Sequence, residues 1–139
     1  MNKLKPKISI IIPTYNYGHY IKDAIKSALC QKINEIIEII VVDDGSTDNT
    51  ARIIKFASKK FQWICAVDRP NRGYREPGGG VIDAFYDGYA KLNKIRWDFL
   101  VKLDGDLSFS KDYFEKCLSY FEYDKKLGIA GGTIYQLKN

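Results

Sequence analysis

Along the chain, short runs of branched apolar residues alternate with stretches in which apolar side chains recur every three or four positions. Ile8 to Ile12 is an isoleucine-rich run ended by Pro13 and predicts a strand. From about Tyr20 to Gln31, Ile21, Ala24, Ile25, Ala28 and Leu29 fall at helical spacing. The run "IIEIIVV", Ile36 to Val42, is too short and too branched for a helix and stops at Asp43-Asp44-Gly45. Ser46, Thr47 and Asp48 then offer N-caps for a helix reaching about Lys60, with Ile53, Ile54 and Ala57 inward. Trp63 to Val67 predicts a third strand, followed by a polar, glycine-rich loop from Asp68 to Gly79 and a helix near Val81 to Leu92. Asp98 to Leu103 predicts the fourth strand, and a helix capped near Ser110 and reaching about Tyr123 precedes a last apolar run, "LGIAGGTIY".

Strands apolar on both faces, alternating with helices, predict an α/β fold: a three-layer α/β/α sandwich around a mostly parallel central sheet of strand order 3-2-1-4. No repeat, low-complexity tract or linker interrupts residues 1–139, so one domain is expected. At 45% apolar and 14% aromatic, the chain can bury one core.

The net charge of +5 comes from 22 basic and 17 acidic residues, and the lysines (Lys3, Lys5, Lys7; Lys59, Lys60; Lys125, Lys126) are scattered rather than periodic. That pattern describes a solvated surface, with no nucleic-acid partner expected. Arg69, Arg72 and Arg75 are the exception, gathered in a seven-residue loop where they could face an anion. Cys30, Cys65 and Cys117 are odd in number, widely spaced and set in apolar segments, which predicts buried reduced thiols and a cytoplasmic location. The amino terminus carries too short an apolar run for a signal peptide or membrane span, so no transmembrane segment is expected, and membrane association would be peripheral. His19, the only histidine, has no nucleophile context.

In parallel sheets, ligands bind outside the carboxyl ends of the strands, where loops and helix amino termini gather. The chain's polar clusters fall there: Thr14, Tyr15 and Asn16 after strand one; Asp43 and Asp44 after strand two; the arginine and glycine loop after strand three; Asp104 and Asp106 after strand four. Two carboxylates separated by Gly105 repel unless they close a polar turn or receive a cation that reverses the local electrostatic sign. For Asp43 and Asp44, an Asx-turn with a helix cap competes with a ligand role, and for Tyr15 loop packing competes with base stacking.

The motifs "ISIIIPTYN", "VVDDGSTDNT" and "LVKLDGD", in this order, resemble the nucleotide-sugar-binding half of family 2 glycosyltransferases of the GT-A fold. The resemblance implies inverting transfer of a sugar from a UDP- or GDP-linked donor to a glycan, lipid-phosphate or other hydroxyl acceptor, assisted by Mg²⁺ or Mn²⁺. It implies that Pro13, Thr14 and Tyr15 line the base and ribose, that Asp44 beside Asp43 binds the base, and that Asp104 and Asp106 reach the ribose and metal. A uracil imide N–H suits the Asp44 carboxylate, and closely spaced diphosphate oxygens suit a metal on one or two carboxylates. Arg75 joins the nucleotide-sugar set.

The sequence departs from the family pattern in "GGGVIDAFYDGYAKL", where Ala84, Phe85 and Tyr86 replace the Ala-Arg-Asn triplet of many members. Its small-residue spacing is similar to the dolichyl-phosphate mannose synthase branch, which leaves the donor and the role of Arg75 open. Gly78, Gly79 and Gly80 supply either backbone N–H groups for an anion or a loop hinge. The resemblance also implies a carboxylate base further along. Asp112, Glu115, Glu122 and Asp124 all fall on a solvated helix or its end, so the base is unknown and the chain is expected to stop before the acceptor-binding half. A nucleotide-sugar-binding domain without turnover is the main alternative. "FLVKLDGDLSF" is also similar to the first motif of haloacid-dehalogenase-type phosphatases, although Ser108 stands where threonine or valine is usual.

Overall fold

The computed structural model describes residues 5–33, 35–74, 76, 78–93 and 97–136, so Arg75 lies outside the described residues. The elements follow as β1 (Ile8–Thr14), α1 (Ile21–Leu29), β2 (Ile36–Asp43), α2 (Thr50–Lys60), β3 (Ile64–Asp68), α3 (Gly79–Tyr89), β4 (Phe99–Lys102) and α4 (Tyr113–Tyr123). The sheet is parallel throughout, in the order β3-β2-β1-β4, which is the expected order and the expected α/β sandwich.

This order decides which face each helix covers. Right-handed crossovers from β1 to β2 and from β2 to β3 run in one direction, so α1 and α2 share a face; the connection to β4 runs back, so α3 covers the other. Alternation along the strands supplies both cores. Ile8, Ile10, Ile12, Ile39 and Val41 pack with Ile21, Ile25, Ile54 and Phe114 on one side, and Ile11, Ile40 and Val42 pack with Ala84 on the other. Gly88 lets α3 lie directly on the sheet, because a Cβ there would stand 2.7 Å from Ile11 Cγ2 and 2.9 Å from Val42 Cγ2.

Helix starts differ from the sequence expectation. The N-cap position of α2 is Asn49, and α4 begins at Tyr113 behind an Asp112 cap rather than near Ser110. The apolar run after α4 forms no regular element, and Ile129, Ile134 and Tyr135 are exposed. Among the described residues no fifth strand joins the sheet, and glycines 128, 131 and 132 weaken any intrinsic strand preference. The expectation of buried thiols also fails: Cys30 and Cys65 are exposed and Cys117 is half-buried. Cys30 caps α1 beyond its last inward residue, Ala28. Cys65 points away from the core side of edge strand β3, where α3, seated on β1 and β2, leaves it uncovered. Among the described residues, no helix is long and apolar enough to cross a membrane.

Candidate functional site

The loops after β1 and β2 are locked to one another. Asn16, at φ 51°, receives the Thr47 N–H on its Oδ1 (2.8 Å) and donates its own N–H to Ser46 Oγ (2.9 Å). Gly18 donates to Asp48 Oδ2 (3.0 Å), and a side chain at Gly18 would collide with Asn49 Oδ1 at 1.9 Å. Asp48 Oδ1 accepts the Thr50 N–H (3.0 Å) and hydroxyl (2.5 Å), so Asp48 serves the first turn of α2 from one residue ahead of the cap position. Burial pushes the Asp48 carboxyl up, but hydrogen bonds from the Thr50 hydroxyl and N–H and the Gly18 N–H outweigh it and hold the group below its ordinary value. Asp43 braces its own loop, its Oδ1 accepting the Ser46 N–H three residues on at 3.0 Å. Of the acidic pair, Asp43 therefore shapes the loop while Asp44 faces the cleft.

That cleft, about 410 Å³, opens at the carboxyl ends of the strands. Pro13, Thr14 and Tyr15 from the end of β1, Asp44 after β2, and Asp104 and Asp106 after β4 line it together; Val81 and Ile82 of α3 add an apolar wall. Six of the residues expected at the site thus converge, and Asp43 stands behind the wall. A larger groove of about 570 Å³ runs between α1 and α2, but it holds apolar and basic side chains and none of the rim carboxylates.

Asp44 is 7% exposed. Arg69 Nη1 donates to its Oδ1, and Arg72 Nη2 donates to its Oδ2 at 2.7 Å. Arg69 also donates from Nε to Asp87 Oδ2 of α3 (2.6 Å), and Arg72 Nη1 lies 3.4 Å from Glu76 Oε2. The anion that these two loop arginines face is therefore the protein's own carboxylate chain. No local sequence pattern pairs them with Asp44, because the contacts span 25 and 28 residues.

The Asp-Gly-Asp turn is asymmetric. Asp104 Oδ1 lies 2.5 Å from Lys102 Nζ, whereas Asp106 is exposed and has no hydrogen bond or ion pair among the described residues. The Thr14 hydroxyl is buried without a partner, and Gly105 abuts it: a Cβ on Gly105 would stand 2.7 Å from Thr14 Oγ1. Two carboxylates beside an orphaned hydroxyl form a hard oxygen donor set that fits Mg²⁺ or Mn²⁺. No cluster of three or more His, Cys, Asp or Glu suited to a metal occurs among the described residues. The set therefore suits a cation shared with a ligand's phosphates rather than one caged by protein alone. Asp112 pairs with Lys116 at 2.8 Å, and neither it nor Glu115 nor Asp124 lines the cleft.

A family model described as Glycosyl transferase family 2 matches residues 9–138. Among similar proteins, an uncharacterized glycosyltransferase of Mycoplasma genitalium is 35% identical over 124 residues, covering 86% of this chain and 38% of the relative. The chondroitin synthase of Pasteurella multocida is 32% identical over 128 residues, covering 92% of this chain and 12% of that enzyme. The chain thus spans well under half the length of these relatives. The crystal structure of S. aureus TarS 1-349 in complex with UDP-GlcNAc superposes with a TM-score of 0.63 at 25% identity, over 94% of this chain and 37% of that one.

Proposed function

For a chain that belongs to glycosyl transferase family 2, we propose that the cleft binds a nucleotide-diphosphate sugar, and that the whole protein transfers this sugar to an acceptor hydroxyl with inversion. The observation that carries the reading is the convergence of Tyr15, Asp44, Asp104 and Asp106, from three strand ends, on one cleft. The UDP-GlcNAc complex of TarS supports it.

In this reading Tyr15 covers the base and Asp44 accepts an N–H from its edge. Asp104 and Asp106, with the Thr14 hydroxyl beside them, would hold Mg²⁺ or Mn²⁺, which when bound would supply positive charge to stabilise a departing diphosphate. The start of α3, whose N-cap Gly78 lines the cleft at φ 75°, turns helix N–H groups toward that anionic end. The acceptor oxygen forms its bond to the anomeric carbon as the bond to the diphosphate breaks, the electron pair leaving with the diphosphate and the hydroxyl proton going to a base.

One observation favours a second reading for these residues by themselves, donor binding without turnover. Asp44 is engaged by two arginines, and Asp104 and Asp106 are assigned to the cation, so no carboxylate of the described cleft is left to act as that base. Calorimetric titration with nucleotide-diphosphate sugars, with and without Mn²⁺, tests the shared claim. Metal-dependent binding is expected, and its absence for every donor would remove the reading. Turnover in the same samples separates transfer from binding alone.

A further inference from the structure

We infer that the groove between α1 and α2 is a docking surface for an anionic lipid bilayer. It stands apart from the cleft, with which it shares no lining residue, so the inference is independent of the nucleotide reading. Its charged side chains are all cations: Lys22 and Lys26 of α1, Arg52 and Lys60 of α2. The acidic residue of α1, Asp23, does not line it, and α2 has no acidic residue.

Local neutralisation does not account for these four cations. Lys55, also on α2, pairs with Asp68 at 3.3 Å, whereas among the described residues none of the four makes an ion pair. Helix stability does not account for them either. Lys22 and Arg52 lie in the first turns of α1 and α2, where a cation opposes the helix dipole.

An apolar surface accompanies the charge. Arg52, Phe56 and Lys60 follow one another at four-residue steps along one face of α2, so the Phe56 ring stands between two cations, and it is 70% exposed. Leu29 and Ile53 carry the apolar surface down into the groove. Lysine stems can lie over such a surface with their ammonium groups among lipid phosphates, while an aromatic ring enters the boundary between headgroups and acyl chains.

This composition favours a bilayer over a protein partner. Interfaces between proteins are depleted in lysine, and three of the four cations are lysines. Among the described lining residues, no uncharged polar side chain other than Cys30 is present to fix the direction of a bound segment. A lipid surface makes no such demand, because it attracts cations through its potential rather than through aligned hydrogen bonds. A second copy of the chain does not fit, since joining two such faces would set like charges against one another.

The test is sedimentation of the chain with vesicles of phosphatidylcholine and with vesicles of equal parts phosphatidylcholine and phosphatidylglycerol. Binding to the anionic vesicles is expected to be at least about tenfold tighter than to the neutral ones, and to weaken with added salt. A chain of net charge +5 is drawn to any anionic surface, so the location is read from two variants that remove the same charge. Lys22→Gln/Arg52→Gln should lower the affinity on the order of tenfold, and Lys125→Gln/Lys126→Gln, just beyond α4, should lower it much less. Phe56→Ser should lower it several-fold at low and high salt alike. All five positions are exposed, so melting temperatures should stay near wild type. Equal losses in the two charge variants would overturn the assignment to this groove, and wild-type affinity in Phe56→Ser would overturn the part of the ring. No binding to anionic vesicles at low salt would overturn the docking surface altogether, and poly-L-glutamate bound in their place would assign the groove to an acidic polypeptide instead.

Discussion

Lys102 holds Asp104: Nζ and Oδ1 stand 2.5 Å apart at the end of β4, with both side chains nearly half exposed, at 44% and 47%. The ammonium lies beside one of the two carboxylates assigned to a divalent cation, so it competes with that cation when no nucleotide is bound. Lys102→Met should therefore tighten Mn²⁺ binding to the nucleotide-free protein several-fold. The melting temperature should hardly move, since an exposed ion pair contributes about 0–1 kcal/mol. Mn²⁺ titration followed by electron paramagnetic resonance checks this, and an unchanged affinity would show that the lysine does not compete.

Asp106 is the complementary case, an exposed carboxylate with no partner among the described residues. Asp106→Asn should abolish the Mn²⁺-dependent increment in nucleotide-diphosphate affinity, leave the metal-independent contacts at Tyr15 and Asp44, and cost the apo fold nothing. A turn residue of purely structural importance would show the reverse, lower stability with the metal increment intact. Paired titrations with and without Mn²⁺, beside thermal melts, distinguish the two.

Asp44 is different because it is tied into the fold as well as the site. Its side chain is 9% exposed and neutralises two guanidiniums that are themselves 17% and 22% exposed. Asp44→Ala should destabilise the protein by about 2–4 kcal/mol, toward the range for breaking a buried pair while its partners remain, and should also remove nucleotide binding. Urea unfolding measures the first effect. Tyr15→Ala, which breaks no ion pair, should weaken binding with little change in the midpoint. If Asp44→Ala unfolds at the wild-type urea concentration, the arginine clamp contributes nothing to the fold.

These contrasts mark what was legible in the sequence. Strand order and the gathering of Pro13, Thr14, Tyr15, Asp44, Asp104 and Asp106 at one rim follow from local periodicity and from the rule that parallel strands end on one side of the sheet. The clamp of Arg69 and Arg72 on Asp44, and the lock of Asn16 on Ser46 and Thr47, join segments 25 to 31 residues apart. No local pattern encodes such pairings; the folded sheet brings the loops together. The sequence leaves open which of Asp43 and Asp44 closes a turn beside the ligand role implied for Asp44. The backbone separates them, turning Asp43 into its own loop and Asp44 toward the cleft. The run "LGIAGGTIY" forms no strand, since its apolar character is local while a strand needs a neighbour to pair with.

The lock between the first two loops makes a pH-dependent prediction. Burial raises the Asp48 pKa, but hydrogen bonds from Thr50 and Gly18 to the charged form prevail, so the folded value lies below the unfolded one. A group depressed in this way contributes stability above its unfolded pKa, roughly 3.9 for aspartate. That contribution is lost as pH falls through the folded value. Asp112 behaves in the same sense, held at about 2 by hydrogen bonds from Lys116 and Ser110. Its part is common to the wild type and to any Asp48 variant, and it cancels in their difference. Asp48→Asn keeps an acceptor oxygen for the Thr50 N–H but has no charge to lose. Its unfolding midpoint in urea should therefore lie below wild type at pH 6, and the gap should narrow steadily as pH is lowered from about 4. A gap that stays constant across that acid range would mean that the Asp48 charge adds nothing to the lock, and that its geometry alone holds the two loops together.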